Sequence, residues 1–335
     1  MNFGATIQDA EGLRLSAEEK AFFRDSDPFG FILFARNIES ADQVRALCDE
    51  MREAVGRDAV ICIDQEGGRV QRLRPPLARQ WFPPLDQAKR SGEWADMSIY
   101  FRYLLIAQEL RGLGIDCNCA PMADIAGPDT HEFLRNRCFG DDPDTVASLA
   151  RVAADGLLDG GVLPVVKHMP GHGRAVVDSH FEVPRVTADG PTLSETDFAP
   201  FHALRDLPLG MTGHVVYESI DDRPATLSPM VMELVREMIG FGGLIMTDDI
   251  SMKALKGSVG EIAAAAIAAG CDVVLHCNGT LEARQEVAEA AGTLSEAGQS
   301  RAEAAMAWRR TPDPLDIDAI EDHLRRLMGG QVYDG

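Results

Sequence analysis

GVLPVVKH, residues 161–168, is apolar for six positions and then turns to a lysine and a histidine. A half-exposed strand alternates apolar and polar side chains; a short unbroken apolar run is what a strand buried on both faces requires. The same pattern recurs along the chain: GFILF (30–34), AVICID (59–64), IDCNCAPM (115–122), LGMTGH (209–214), GGLIMTDD (242–249) and CDVVLHCN (271–278), with a weaker first run at 5–8. Helical signals lie between them. Ser16 with Glu19, and Ser40 with Gln43, have capping-box spacing, and Ser228–Pro229 reads as an N-cap followed by proline at the first helical position. AQELRGLG (107–114) and EIAAAAIAAG (261–270) end on glycine, as helices often do. Eight strand–helix units over some 300 residues predict an α/β fold, a (β/α)8 TIM barrel, over an open doubly wound sheet. No glycine-rich dinucleotide fingerprint follows the first strands, which counts against the open sheet. No linker or internal repeat is visible, so residues 1–335 read as a single domain. The alanine- and glutamate-rich stretch 281–307 reads as one or two helices, and a short polar, helical tail from about 311 as packing on the outside.

Composition narrows the class of function. The chain has 335 residues, 45% apolar and 25% charged, enough for a full core. Its net charge of -21 would repel nucleic acid. The N-terminal residues show neither a basic nor an apolar signal region, and no apolar run approaches the length that spans a bilayer. Seven cysteines, an odd number set in apolar segments, read as buried free thiols in a reducing compartment. A cytoplasmic protein is expected, with no nucleic-acid or membrane partner.

The strand ends carry the chemistry. Separate apolar runs terminate at Asp64, at Lys167 and His168, at His214, and at Asp248 and Asp249. In a parallel barrel these ends converge on the face that holds the active site. Blander readings exist for several of these residues. Asp249 suits the cap of a following helix, His214 a satisfied core histidine, and His172, between two glycines, a loop-shaping role. Arg72 and Arg137 suit ordinary salt bridges. His168, His172, Asp178 and His180 form a possible ligand set for a metal, but their spacing fits no short zinc signature.

KHMPGHGRAVVDSH (167–180) resembles the KHFPGH…DSH segment of glycoside hydrolase family 3, and GGLIMTDDIS (242–251) resembles its nucleophile segment. IDQEGGRVQRL, FILFARN, CAPMADI, RCFGDDP and RPATLS also match family segments, in the family's order, so the resemblance spans roughly residues 5 to 280. It is strongest to the single-domain bacterial β-N-acetylhexosaminidases of the NagZ type, cytoplasmic enzymes that release N-acetylglucosamine from peptidoglycan fragments during cell-wall recycling.

The resemblance implies a retaining glycosidase with Asp248 as nucleophile and His180, held by Asp178, as acid/base. It implies sugar binding by Asp64, Arg72, Arg137, Lys167 and His168. Histidine suits the acid/base role, because its ordinary pKa lets it give and take a proton near neutrality. No cofactor and no metal are implied; the partner is a small saccharide such as N-acetylglucosaminyl-anhydromuramyl peptides, and the enzyme is expected to be a monomer. Met169, Met246, Thr247 and Cys138 depart from the family pattern without removing an ionisable group. Phosphorolysis on the same fold and a metal-dependent barrel hydrolase are the rival readings.

Overall fold

The computed structural model describes residues 2–175 and 183–333. Eight parallel strands follow one another around a barrel: β1 (Gly4–Asp9), β2 (Pro28–Leu33), β3 (Val60–Ile63), β4 (Cys117–Asn118), β5 (Leu163–Met169), β6 (Leu209–Thr212), β7 (Leu244–Met246) and β8 (Val274–His276). β1 pairs with both β2 and β8, so the first strand lies beside the last. The remaining seam, β7 to β8, closes through the Met246–Val273 bridge. There the Thr247 hydroxyl accepts the Leu275 amide at 2.9 Å, filling a ladder position that a main-chain carbonyl would otherwise take.

Each predicted run carries a strand; from β3 onward the strands are shorter than the runs, while β1 and β2 are longer. β4 has only two residues because the Asn118 side chain takes over the pairing: it accepts from Gln65 N and donates to Gln65 O, both at 3.0 Å. The helices α1 (Ala17–Ser26), α2 (Ala41–Val55), α3 (Ala95–Arg111), α4 (Pro143–Asp159), α5 (Val259–Ala269), α6 (Leu281–Ala291) and α7 (Glu296–Met306) cover the outside. The Ser16–Glu19 capping box is complete, and Ser228 caps its helix with Pro229 next in line. Ser40 makes only half of the predicted box. Its hydroxyl accepts Gln43 N, but the Gln43 side chain accepts from Glu39 N and donates to Leu13 O and Asn37 O instead. The reach across the loop wins because it satisfies two otherwise orphaned carbonyls.

The tail is less peripheral than its composition suggests. Helix α8 (Ile317–Leu327) buries Leu324, and Tyr333 packs edge-on against the fully buried Trp81, with ring centroids 5.2 Å apart. Arg79 ties this end to the body, donating to Glu109 at 2.6 Å, Glu321 at 2.7 Å and the Tyr333 hydroxyl at 2.9 Å. The Trp81 carbonyl in turn accepts the Gly68 amide. All seven cysteines are free and buried. No helix among the described residues is long and apolar enough to cross a membrane.

Two acidic residues stitch the bottom of the barrel. Asp116, just before β4, accepts Ile61 N at 2.8 Å, and Asp272, just before β8, accepts Ile245 N at 2.9 Å. Each is also paired with arginines, Asp116 with Arg52 and Arg309, Asp272 with Arg236 and Arg301. A further buried cluster sits where β1 ends. Asp9 accepts from Arg284 Nε at 2.9 Å, and Arg284 also reaches Glu19 at 3.3 Å. Without Arg284, Glu19 loses its buried cation and Asp9 keeps only Arg36, at a cost of up to about 3–5 kcal/mol. Arg284→Met should lose that much in urea unfolding. A loss below about 1 kcal/mol would show that Asp9 and Glu19 need no partner from α6.

Candidate active site

A cavity of about 360 Å³ opens at the C-terminal ends of the strands. Asp64, Arg72, Arg137, Lys167, His168 and Asp248 all contribute to its wall, as do Phe34, Glu66's neighbours Arg69 and Val70, Phe133, His172, Asp249 and Asn278. The residues expected at the site from β3, β5 and β7 therefore meet in one place.

Lys167 is the centre of their charge network. Its ammonium is 2% exposed and lies 3.0 Å from Asp64 and 2.6 Å from Glu66. Arg72 closes on the far oxygen of Asp64 at 2.8 Å, and Arg137 grips Glu66 with both arms of its guanidinium, at 2.8 and 2.9 Å. Five charges thus alternate in sign, from Arg72 through Asp64, Lys167 and Glu66 to Arg137. Burial pushes both carboxyls up, but Lys167 with Arg72 more than offsets this for Asp64, and Arg137 with Lys167 for Glu66. Asp64 is held well below the usual carboxylate range, and Glu66 falls to about 2. Arg137 is no surface pair, at 6% exposure, whereas the Arg72 side chain is 31% exposed at the edge of the cavity.

A third carboxylate, Asp124, organises the histidines. It accepts His168 Nδ1 at 2.7 Å and the His172 amide at 2.6 Å. That fixes a proton on His168 Nδ1 and turns Nε2 away from Asp124. Burial, followed by the neighbouring His168, pushes the His172 imidazole down to about 3, so its ring is neutral near pH 7. Its amide contact bears out the loop-shaping reading, and its ring also reaches the cavity wall.

Asp248 sits at the end of β7. Burial pushes its carboxyl up, but His168, His214, the Asp249 amide at 2.8 Å and Lys167 outweigh that, leaving it below its usual value. It is an ionised carboxylate on a rigid strand end, with cationic groups close by. Asp249 is not a helix cap, as its position suggested. It accepts Ser251 N and Cys277 N at 3.0 and 3.1 Å, closing a turn and tying β7 to β8, and no helix begins before Val259. His214 is a satisfied core residue. One ring nitrogen meets Thr226 Oγ1 at 2.8 Å, and the other donates to the Asp249 carbonyl at 3.0 Å.

Asp178 and His180 lie outside the described residues. Of the possible metal ligands, His168 and His172 therefore remain; among the described residues no group of three or more His, Cys, Asp or Glu is placed to hold a metal. Met169, Met246 and Cys138 are buried but do not contribute to the cavity wall, so these departures from the family pattern sit behind it.

Strand-end reasoning missed Glu66, Asp124 and Asn278. Glu66 is two residues past Asp64, on the same side of an extended segment, and the period of two could have found it. Asp124 follows the last ladder residue of β4 by six positions, too far for the strand-end rule.

Residues 6–308 match the glycosyl hydrolase family 3 N-terminal domain, and the chain belongs to this family. It is a glycosidase. It is 38% identical over 320 residues to a beta-hexosaminidase of Methylococcus capsulatus, covering 93% of both chains. Its fold is similar to that of NagZ from Neisseria gonorrhoeae in complex with N-trifluoroacetyl-D-glucosamine, with a TM-score of 0.86 and 28% identity over 98% of this chain and 99% of that one. It is also similar to a glycoside hydrolase family 3 beta-N-acetylglucosaminidase from Paenibacillus sp., at TM-score 0.85 and 28% identity, covering 96% of this chain but 66% of that longer one.

Glu66 makes the site sensitive to acid. A carboxyl whose pKa falls from 4.5 to about 2 on folding contributes stability that is complete above about pH 4.5 and is lost as the pH falls towards 2. The amount is on the order of 3 kcal/mol. Glu66→Gln should be less stable than the parent at pH 7, and should lose less on going to pH 3. Parallel pH profiles from urea titrations would mean that Glu66 ionises alike in the folded and unfolded chain.

Proposed function

We propose that the protein is a retaining exo-β-N-acetylglucosaminidase that removes terminal N-acetylglucosamine from peptidoglycan-derived fragments in the cytoplasm during cell-wall recycling. The observation that carries this reading is the ionised Asp248 on the end of β7, facing a cavity already equipped with paired cations and carboxylates. The named beta-hexosaminidase relatives and the sugar-analogue complex of NagZ support the substrate class. The enzyme acts as a single-domain monomer without cofactor or metal.

Asp248 attacks the anomeric carbon and forms a covalent glycosyl-enzyme, which is why the carboxylate must be ionised. Asp64, Arg72, Arg137, Lys167 and His168 hold the sugar. Asp64 accepts from hydroxyls, while the cations donate and keep the local charge close to balance. Lys167 has three donors and spends two on Asp64 and Glu66, which leaves one for a hydroxyl. Asp178 orients His180, which protonates the departing oxygen and then, as the neutral imidazole, activates water.

The first experiment is release of nitrophenol from the β-N-acetylglucosaminide, with excess EDTA and without phosphate, against the β-glucoside. Turnover of the N-acetylated substrate alone supports the proposal; activity that needs added phosphate or zinc transfers it to the rival readings. Proton NMR of the first-formed sugar should show the β-anomer, and inversion would exclude the glycosyl-enzyme. Asp248→Asn should lower kcat by at least about 10⁴-fold with the fold intact, in line with loss of a nucleophile. His180→Ala should slow substrates with poor leaving groups far more than nitrophenyl glycosides, and a uniform loss would argue against an acid role.

A further inference from the structure

Asn278 is exposed at the mouth of the cavity, yet it is held as firmly as a core residue. Its backbone is in the left-handed region, with φ at +59°, a conformation few side chains adopt but asparagine tolerates. Its amide donates at 2.6 Å to Asp9, which is fully buried at the end of β1. Its side-chain oxygen accepts Arg36 Nη1 at 2.6 Å. Arg36 is itself fixed by an ion pair with Asp9 and by stacking over Phe34, 5.0 Å from the ring centroid.

Donor and acceptor bookkeeping then sets the orientation of the amide. A guanidinium only donates, so the atom of Asn278 that faces Arg36 must be the oxygen. The nitrogen keeps two hydrogens with no partner among the described residues, in a residue that lines the cavity. Of the groups proposed to hold the sugar, Lys167, Arg137 and His168 are nearly enclosed, at 2%, 6% and 7% exposure, while Asp64 and Arg72 are partly open. Asn278 stands outside them, at the mouth. A strained, doubly anchored residue presenting an unspent donor is a pre-organised contact, and its place fits the part of a substrate that leaves.

We propose that Asn278 is a leaving-group recognition residue. Its amide donates to a hydroxyl or carbonyl oxygen of the sugar on the far side of the scissile bond, with Asp9 and Arg36 as its positioning residues. The proposal rests on the glycosidase reading above. It predicts a preference for saccharide leaving groups over aryl groups that lack such oxygens.

The test compares N,N′-diacetylchitobiose with phenyl β-N-acetylglucosaminide. Glycine accepts the same φ, so Asn278→Gly removes the donor without disturbing the backbone. The ratio of kcat/KM for chitobiose to that for the phenyl glycoside should fall about five- to tenfold, the worth of one neutral hydrogen bond. Asn278→Asp keeps an oxygen against Arg36 and replaces the donor with an acceptor; it should lower the ratio at least as far, and it serves if the glycine variant fails to fold. An unchanged ratio, whether or not both rates drop together, overturns the proposal. A wild-type enzyme that cleaves neither substrate overturns the N-acetylglucosaminidase reading itself, and this contact with it.

Discussion

The site depends on one buried ammonium. Two carboxylates side by side in a closed cavity would repel each other, and burial would push at least one of them towards the neutral acid. Lys167 lies between Asp64 and Glu66 and removes that conflict. It also joins β5 to the end of β3 and to the short antiparallel hairpin that follows, Gln65–Gly67 with Val70–Gln71, so the charge network braces the wall it lines. Arg72 and Arg137 terminate the row at its two ends. The whole row carries one net positive charge, three cations against two anions, next to an Asp248 that must stay ionised for the proposed attack.

The two faces of the barrel use charge differently. At the bottom, Asp116 and Asp272 accept main-chain amides of neighbouring strands and are saturated by arginines. They have little capacity left for a ligand and serve the closure of the barrel. At the top, charged groups keep donors and acceptors unspent. This division is the one expected of the fold, where the bottom face carries stability and the top face carries loops that can vary.

Much of this is legible in the sequence. The apolar runs located all eight strands, because burial on both faces leaves no other composition. They overstated strand length wherever a side chain substitutes for the ladder, as Asn118 and Thr247 do. The strand-end rule picked out Asp64, Lys167, His168 and Asp248, because they lie within the last residues of their strands or just beyond them: Asp64 directly after β3, Lys167 and His168 near the end of β5, Asp248 two positions past β7. It named Asp248 and Asp249 together; a structural role for Asp249 was legible, but as a helix cap, and its contacts with Ser251 and Cys277 make it instead a turn and a tie between β7 and β8. Glu66 and Asp124 act through partners more than forty positions away. Local pattern cannot report such contacts.

The edge-on contact of Tyr333 with Trp81 bears on how the enzyme is made. Arg79 and Trp81 support the hairpin that carries Glu66, and they leave the ribosome early. Their partner Tyr333 is made 254 residues after Arg79. β1 likewise waits for β8. During synthesis the first half of the barrel therefore exposes an open sheet edge and an uncovered tryptophan. Until those later segments are made, the growing chain carries an unpaired strand edge of the kind that invites aggregation.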